Sequence, residues 1–436
     1  MAAHADAGDD GVVVVFVVDP ALWDTAGPVR RAWLAATLEA TREAYDGRLC
    51  LRAGDPLEVI PALAREVGAT SVHVTRETEP HGHERDRAVA RTLAAGGVAF
   101  RETGTPYAVG PGLVMNRGGQ PFQVFTPFSR AWRAHGWPAP AVEPEGLRLV
   151  PAPDDDAARD RVRAALTADG VPPLPAAGES AALARWDWFR TEALPEYETT
   201  RDRPDLDGVS RLSPYLKFGV LHPRRLLADI AGTPGRGVTR FETELAWREF
   251  YADVLFHNPE SLWEDLRPGL AALAYDDAGD AVDAWRAGRT GYPIVDAGMR
   301  QLLAEGWMHN RVRMITASFL TKDLHVWWPV GARHFLDHLI DGDLASNSHG
   351  WQWVAGTGTD AAPYFRVFNP VTQGLRYDPL GDYVRRWVPE LRHLPGAAAH
   401  EPWRDPRGRD LGYPERIVDH AVEREAALDR YRRSRG

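Results

Sequence analysis

The run at 12–18 constrains the fold of this 436-residue chain more than any other stretch. Six valines and one phenylalanine in a row suit a parallel strand buried on both faces. It is also the longest apolar run, and strand-sized, so no segment approaches the ~18–20 residues of a membrane-spanning helix. Helical patterns follow at 29–45, 56–67 and 83–95, with short strand patterns at 49–52, 71–75 and 98–103 between and after them. Strands alternating with helices predict a doubly wound parallel sheet over residues 11–130.

The rest of the chain changes character. Residues 131–180 are rich in Pro, Ala, Glu and Asp and read as a linker in which only 155–166 looks helical. Residues 181–436 read as an all-α domain, with amphipathic stretches at 181–191, 223–231, 240–256, 293–305, 311–326 and 331–340. The segment 341–353 (DGDLASNSHGWQW) is too polar and small-residue rich to read as an amphipathic core helix. A small-residue loop (354–360) and an aromatic stretch (361–370) follow it. Flexible and aromatic chain side by side suits a backbone that approaches a planar ligand.

Composition narrows the function. One cysteine, Cys50, excludes an internal disulfide and a cysteine-based zinc site, and no metal site is expected. The start MAAHADAGDD is acidic, unlike a signal peptide, so a cytoplasmic protein is expected, with no membrane association. The net charge is −10, so any nucleic-acid contact must come from a local arginine-lined patch. Only Lys217 and Lys322 among the 51 basic residues are lysine. Of 16 tryptophans, twelve follow residue 180, which fits either a large aromatic core or a stacking and electron-relay surface.

The C-terminal half resembles the DNA photolyase/cryptochrome family, in particular its class I cyclobutane pyrimidine dimer photolyases. The matching stretches are DGVSRLSPYLKFGVLHPR (207–224), ETELAWREFYADVL (242–255), TGYPIVDAGMRQLLAEGWMHNRVRMITASFLTKDL (290–324), and DGDLASN with GWQWVAGTGTDAAPYFRVFNPVTQG (341–374). The resemblance implies an FAD-binding helical domain behind an α/β domain. It also implies light-driven electron transfer from the reduced anionic flavin to a pyrimidine dimer flipped out of DNA.

Residue by residue, the resemblance implies a cofactor set. Asn347 would meet the flavin near N5. Asp341, paired with Arg313, and Asp343 would lie at the ring edge, where buried charges need compensation. Asn310 would stand at the pocket. Val209, Ser210, Arg211, Leu212 and Ser213, with Tyr197, would lie on the diphosphate side; Val209 replaces a family threonine. Glu244, Trp247, Met314 and Trp353 would face the lesion, Glu244 and Trp247 sharing one helix face. Arg311 and Arg366 would touch DNA phosphates. Glu244, Asn347 and Met314 would carry the chemistry. Trp351 and Trp328 match the inner members of the family's electron chain, whose outer member falls at Tyr275, with Trp327 or Trp285 as substitutes.

The N-terminal resemblance (VFVVDPALW, GPVRRAWL, FTPFSRAW) is weaker. The family's first strand, an Arg-Asp-Leu-Arg motif and a helix have no counterpart, which predicts an incomplete sheet with an unpaired edge and exposed apolar surface. The folate-type Cys-Lys pair is missing where Trp263–Asp265 stand, so 8-hydroxy-5-deazaflavin is expected as antenna ahead of methenyltetrahydrofolate, or no antenna at all. The expected partner is ultraviolet-damaged DNA, met by a monomer without an obligate protein partner. The alternative function is a cryptochrome-like blue-light receptor without repair activity.

Overall fold

The valine run forms β1 (Val14–Val18), which pairs in parallel with β2 (Leu49–Ala53), Val14 opposite Leu49 and Val18 opposite Ala53. In this computed structural model, which describes residues 1–267, 275–277, 279–360 and 366–434, α1 (Pro28–Ala44) crosses between them. Next come α2 (Pro56–Val67), β3 (Ser71–Val74), α3 (Pro80–Ala95) and β4 (Ala99–Glu102). The helix starts are encoded locally. Proline opens α1, α2 and α3, and Asp55 accepts the Leu57 N–H at 2.9 Å.

All four strands lie where the periodicity put them and all pair in parallel, but they make two separate ladders, β1–β2 and β3–β4. The consequence is visible in burial. Val14–Val17 and the whole of β3 are only partly buried, not enclosed on both faces as the apolar run predicts. One face of β1 (Val14, Phe16, Val18) packs with Leu38 and Leu51, while Val72 and Phe100 join Ala64, Val89 and Leu93 in a second patch. Among the described residues no strand lies between the two ladders to merge these patches.

The expected linker is more structural than its composition suggests. After α4 (Phe125–His135), α5 (Asp156–Leu166) lays Ala158, Val162 and Ala165 into the β1–β2 core. Just before it, Asp154 accepts the Leu51 N–H and Asp155 the Ala53 N–H, each at 2.7 Å, closing one edge of β2. Alanines pack closely without bulk, and acidic side chains satisfy strand donors.

The second half is helical: α6 (Glu179–Trp188), α7 (Pro223–Ile230), α8 (Arg236–His257), α9 (Pro293–Glu305), α10 (Asn310–Ser318), α11 (Trp328–His338), α12 (Leu344–Ala355) and α13 (His420–Ser434). Here the reading of 341–353 is corrected: the segment is α12, a core helix. Asp343 caps it through the Ser346 N–H at 2.8 Å. Ser348, His349 and Gln352 are fully buried, and Gln352 is matched on both ends, accepting from Leu266 N–H and donating to the Ser261 carbonyl. A helix buried on all sides has no polar stripe for an amphipathic pattern to reveal. Residues 361–365 of the aromatic stretch, and Pro268, lie outside the described residues.

Helix α8 ties the halves together. Its Glu249 carboxylate is buried and accepts the N–H groups of Ala108, Val109 and Gly110 and the Trp132 indole N–H. Asp253, one turn on, accepts the Gly112 N–H at 2.7 Å. These bonds fix the irregular 104–114 loop against the helical domain.

Candidate functional site

A cavity of about 500 Å³ opens among α8, α10, α11, α12 and the segment 197–217. It collects residues that lie far apart in sequence. Tyr197, Ser210, Ser213, Glu244, Trp247, Asn310, Arg311, Arg313, Met314, Asp341, Asp343, Asn347, Trp351 and Trp353 all line it, so most of the expected site residues share one enclosure.

At one end Asp341 organises the wall. Its carboxylate receives Arg313 Nη2 at 2.8 and 3.1 Å and the Ser213 hydroxyl at 2.5 Å, while Arg313 Nε donates to the Met308 carbonyl. The side chain is almost fully buried, and these charge-assisted bonds compensate it. Asp343 is also buried. Burial alone would raise its carboxyl, but Lys217, Arg248 and the Ser346 N–H outweigh burial and hold it below the ordinary value. Asn347, one turn into α12, donates its amide N–H to the Ala332 carbonyl at 3.0 Å. Its amide oxygen accepts no bond from the described residues and stays available to the cavity. The Asn310 side chain is likewise uncommitted.

Only part of the 209–213 stretch faces the cavity. Ser210 and Ser213 do. Leu212 is in the core, and Val209 packs against it. Arg211 has φ 53° and turns its guanidinium onto Trp307, 4.4 Å from the ring centroid. Tyr197 sits with its ring edge-on to Phe189 at 5.3 Å, and burial pushes its phenol up, so it keeps its proton and can donate.

At the other end α8 presents Glu244 and Trp247 together. Glu244 lies 2.7 Å from Arg201; burial pushes its carboxyl up, with Arg201 and Arg240 pulling the other way. Trp247 stacks on Phe125 at 3.7 Å and 7°, which holds its indole plane still. Met314 and Trp353 complete this end. Arg311 is engaged inside the protein, bound to Asp202 at 3.0 Å and lying over Tyr377 at 4.6 Å. Arg366 is exposed and does not line the cavity.

The row of aromatic rings differs in order from the sequence expectation. Trp351 lines the cavity and is nearly buried; Trp328 is fully buried, its indole N–H bound to Asp265 at 2.7 Å. The two helices meet closely at Gly331, where an added Cβ would sit 2.2 Å from the Trp351 ring. Tyr275 does not follow Trp328 directly. Its ring contact is with Trp327 at 6.5 Å, and Trp327 in turn meets Trp328 at 6.5 Å. Trp327 is 40% exposed, so solvent reaches the row there. Trp285 lies 6.1 Å from Trp351 but is buried.

Sequence reasoning missed Lys217, Arg240, Arg248 and Tyr251, which also line the cavity. Lys217 carried a signal, being one of two lysines in an arginine-rich chain, and Arg248 and Tyr251 fall within the matching stretch 242–255; Arg240 had none.

The donor set suits FAD. Two hydroxyl-bearing serines, a phenol and several cations stand with uncommitted amides and apolar walls in one cavity, a mixture that an anionic dinucleotide with a planar ring requires. Among the described residues no cluster of His, Cys, Asp and Glu could hold a metal ion, and no helix is long and apolar enough to cross a membrane.

Comparison with known proteins agrees with this reading. Residues 2–145 match the family model for DNA photolyase, and residues 241–433 match that for the FAD binding domain of DNA photolyase. The deoxyribodipyrimidine photo-lyase of Halobacterium salinarum is 42% identical, with 99% of this chain and 94% of the relative covered. That of Streptomyces griseus is 41% identical, with 98% and 94% covered. Among solved structures, a bacterial class III photolyase from Agrobacterium tumefaciens superposes with a TM-score of 0.90 at 35% identity, covering 99% of this chain and 94% of its own. A cryptochrome from Synechocystis superposes at 0.81 with 27% identity, covering 96% and 93%.

Proposed function

The chain belongs to the DNA photolyase family, and from that membership we infer that it is an FAD-dependent, light-driven enzyme that splits cyclobutane pyrimidine dimers in ultraviolet-damaged DNA. One observation carries the reading on the residue level: most of the residues expected to hold the flavin and most of those expected to face the lesion line a single cavity. When bound and reduced, FAD would supply the photoexcited electron for opening the cyclobutane ring.

The protein's part is to bind, orient and exclude water. Asp341, Arg313, Asp343, Asn310 and Asn347 hold the ring end. A neutral Asn347 amide adds no negative charge beside an anionic flavin. Ser210, Ser213 and Tyr197 hold the diphosphate side; Val209, Arg211 and Leu212 do not line the cavity. Glu244, its carboxyl pushed up by burial, hydrogen-bonds the dimer edge. Trp247 and Trp353 offer faces to the flipped bases, and Met314 lines the same end of the cavity. With a net charge of −10, DNA contact depends on local arginines such as exposed Arg366, and Arg311 must leave Asp202 to join them.

Trp351 and Trp328 relay electrons inward, and the row through Trp327 and Tyr275 carries the hole outward. For the antenna we favour 8-hydroxy-5-deazaflavin. The Trp263–Asp265 region is committed to other contacts, Trp263 beneath Arg333 and Asp265 to Trp328, which supports this over a folate. A separate cavity of about 270 Å³ lined by Thr105, Gly110, His135 and Arg224 offers a candidate space.

The test is repair of a thymine-dimer oligonucleotide by chemically reduced holoprotein under blue light, against a dark control. Light-dependent loss of the dimer is expected, and Glu244→Ala should lower it roughly 10- to 100-fold with flavin content unchanged. Flavin-loaded protein that repairs nothing in light would overturn the reading in favour of a photoreceptor.

A further inference from the structure

Lys217 stands out twice. It is one of two lysines among 51 basic residues, and its ammonium lies between two carboxylates from different parts of the chain. Nζ is 2.9 Å from Glu79 Oε1 and 3.9 Å from Asp343 Oδ2. Asp343 caps α12 and lines the cavity, as Lys217 does; Glu79 precedes α3 in the α/β domain and is not among the cavity-lining residues.

Glu79 is held in place from its own side. The Glu77 carboxylate accepts the N–H groups of Thr78 and Glu79 at 2.7 and 2.9 Å. The other charged and titratable groups acting on this cluster are Glu77, Arg30, Arg248 and the Tyr107 phenol. Arg248 donates to the Pro106 and Leu216 carbonyls and lies over the Tyr107 ring, so it is fixed elsewhere. Among the described residues Lys217 is therefore the ion-pair link from Asp343 to the α/β domain. A compact ammonium fits between two carboxylates where a planar guanidinium fork would need more room.

We propose that Glu79 and Lys217 are positioning residues which, with Asp343, form a partly buried charge relay through which the α/β domain sets the reduction potential of the flavin. The proposal rests on the FAD assignment above. Glu79 draws the ammonium away from the cavity; Lys217 compensates Asp343 beside it. Removing Glu79 leaves the positive charge facing the cavity and favours the anionic reduced flavin. Removing Lys217 leaves two facing carboxylates and disfavours it. A unit charge ~10 Å from a redox group at an effective dielectric of about 20 changes its equilibrium roughly tenfold.

The experiment is a spectroscopic redox titration of the holoprotein in the dark against a reference dye. At fixed solution potential, Glu79→Gln should raise the reduced-to-oxidised ratio of bound flavin about tenfold, and Lys217→Met should lower it by a similar factor. The double variant should return close to the wild-type ratio, because its net charge is restored. Purely structural damage would instead move both single variants the same way and accumulate in the double. Shifts of equal sign, or no shift in either, overturn the relay. If Lys217→Met loses its flavin, Glu79→Gln carries the test by itself, since its side chain lies outside the cavity. Wild-type protein that binds and titrates flavin but repairs no dimer overturns the function and leaves the relay standing; wild-type protein that holds no flavin overturns both.

Discussion

The two halves of the molecule bury their apolar residues differently. In the helical half one hydrophobic cluster runs from Val282 to Tyr413, with Trp285, Trp328, Val312 and Met308 fully enclosed. In the α/β half the apolar residues divide into separate patches around β1–β2 and β3–β4, and the strands stay partly exposed. Close packing positions groups finely, because an enclosed side chain has one place to be. The cavity is accordingly built on the enclosed half, and the other half is fastened to it by a second apolar cluster, which joins Val29, Trp33, Phe128 and Trp132 to Trp186, Phe250 and Ile340, and by polar anchors such as Glu249 and Lys217.

Trp328→Ala tests the enclosed half most severely. It removes a fully buried indole and should cost about 3–5 kcal/mol in denaturant unfolding. A cost near 1 kcal/mol would mean this core relaxes as readily as the strands do. Next in size is the anchor between the halves. Glu249→Ala leaves three backbone N–H groups and the Trp132 indole N–H without their acceptor, and should cost about 3 kcal/mol. Faster proteolysis within the 104–114 loop should accompany it. An unchanged loop would show that the halves are joined by apolar contact alone.

Acid should act on the enclosed half. Burial pulls His309 down to about 3, against about 6.5 in an unfolded chain. The unfolded state then binds more protons than the folded one below pH 6.5. The stability this histidine contributes is complete above that pH and is lost as the pH falls toward 3. Its share of the slope is about 1.4 kcal/mol per pH unit, and His309→Asn, which retains a capping side chain for α10, should remove it from a pH series of unfolding curves. The smallest effect belongs to β1. Val15 is only partly buried, so Val15→Ala should cost about 1 kcal/mol or less. A loss comparable to that of Trp328→Ala would erase the contrast between the halves.

Much of this protein is legible without coordinates. The strands fall within a residue or two of their periodic patterns, and 56–67 and 293–305 match α2 and α9 at both ends. Alternation, proline starts and aspartate caps are local signals, and local sterics and hydrogen bonding enforce them wherever they occur. The motif stretches likewise pointed to the residues now found around one cavity. Other features had no local signal. The polar 341–353 segment becomes a core helix only because neighbours satisfy Gln352 and enclose Ser348 and His349. The acidic stretch before α5 becomes part of a sheet edge only because β2 offers free N–H donors. Arg211 and Leu212 belong to the matching motif, yet their side chains point elsewhere, since a motif fixes the order of residues and the backbone decides where each one points. The ladder between β1 and β2, the order of Tyr275 behind Trp327, and the meeting of Glu79 with Lys217 depend on contacts between distant segments. Hydrogen bonding, packing and charge compensation at such contacts act through space, and only the tertiary structure brings those partners together.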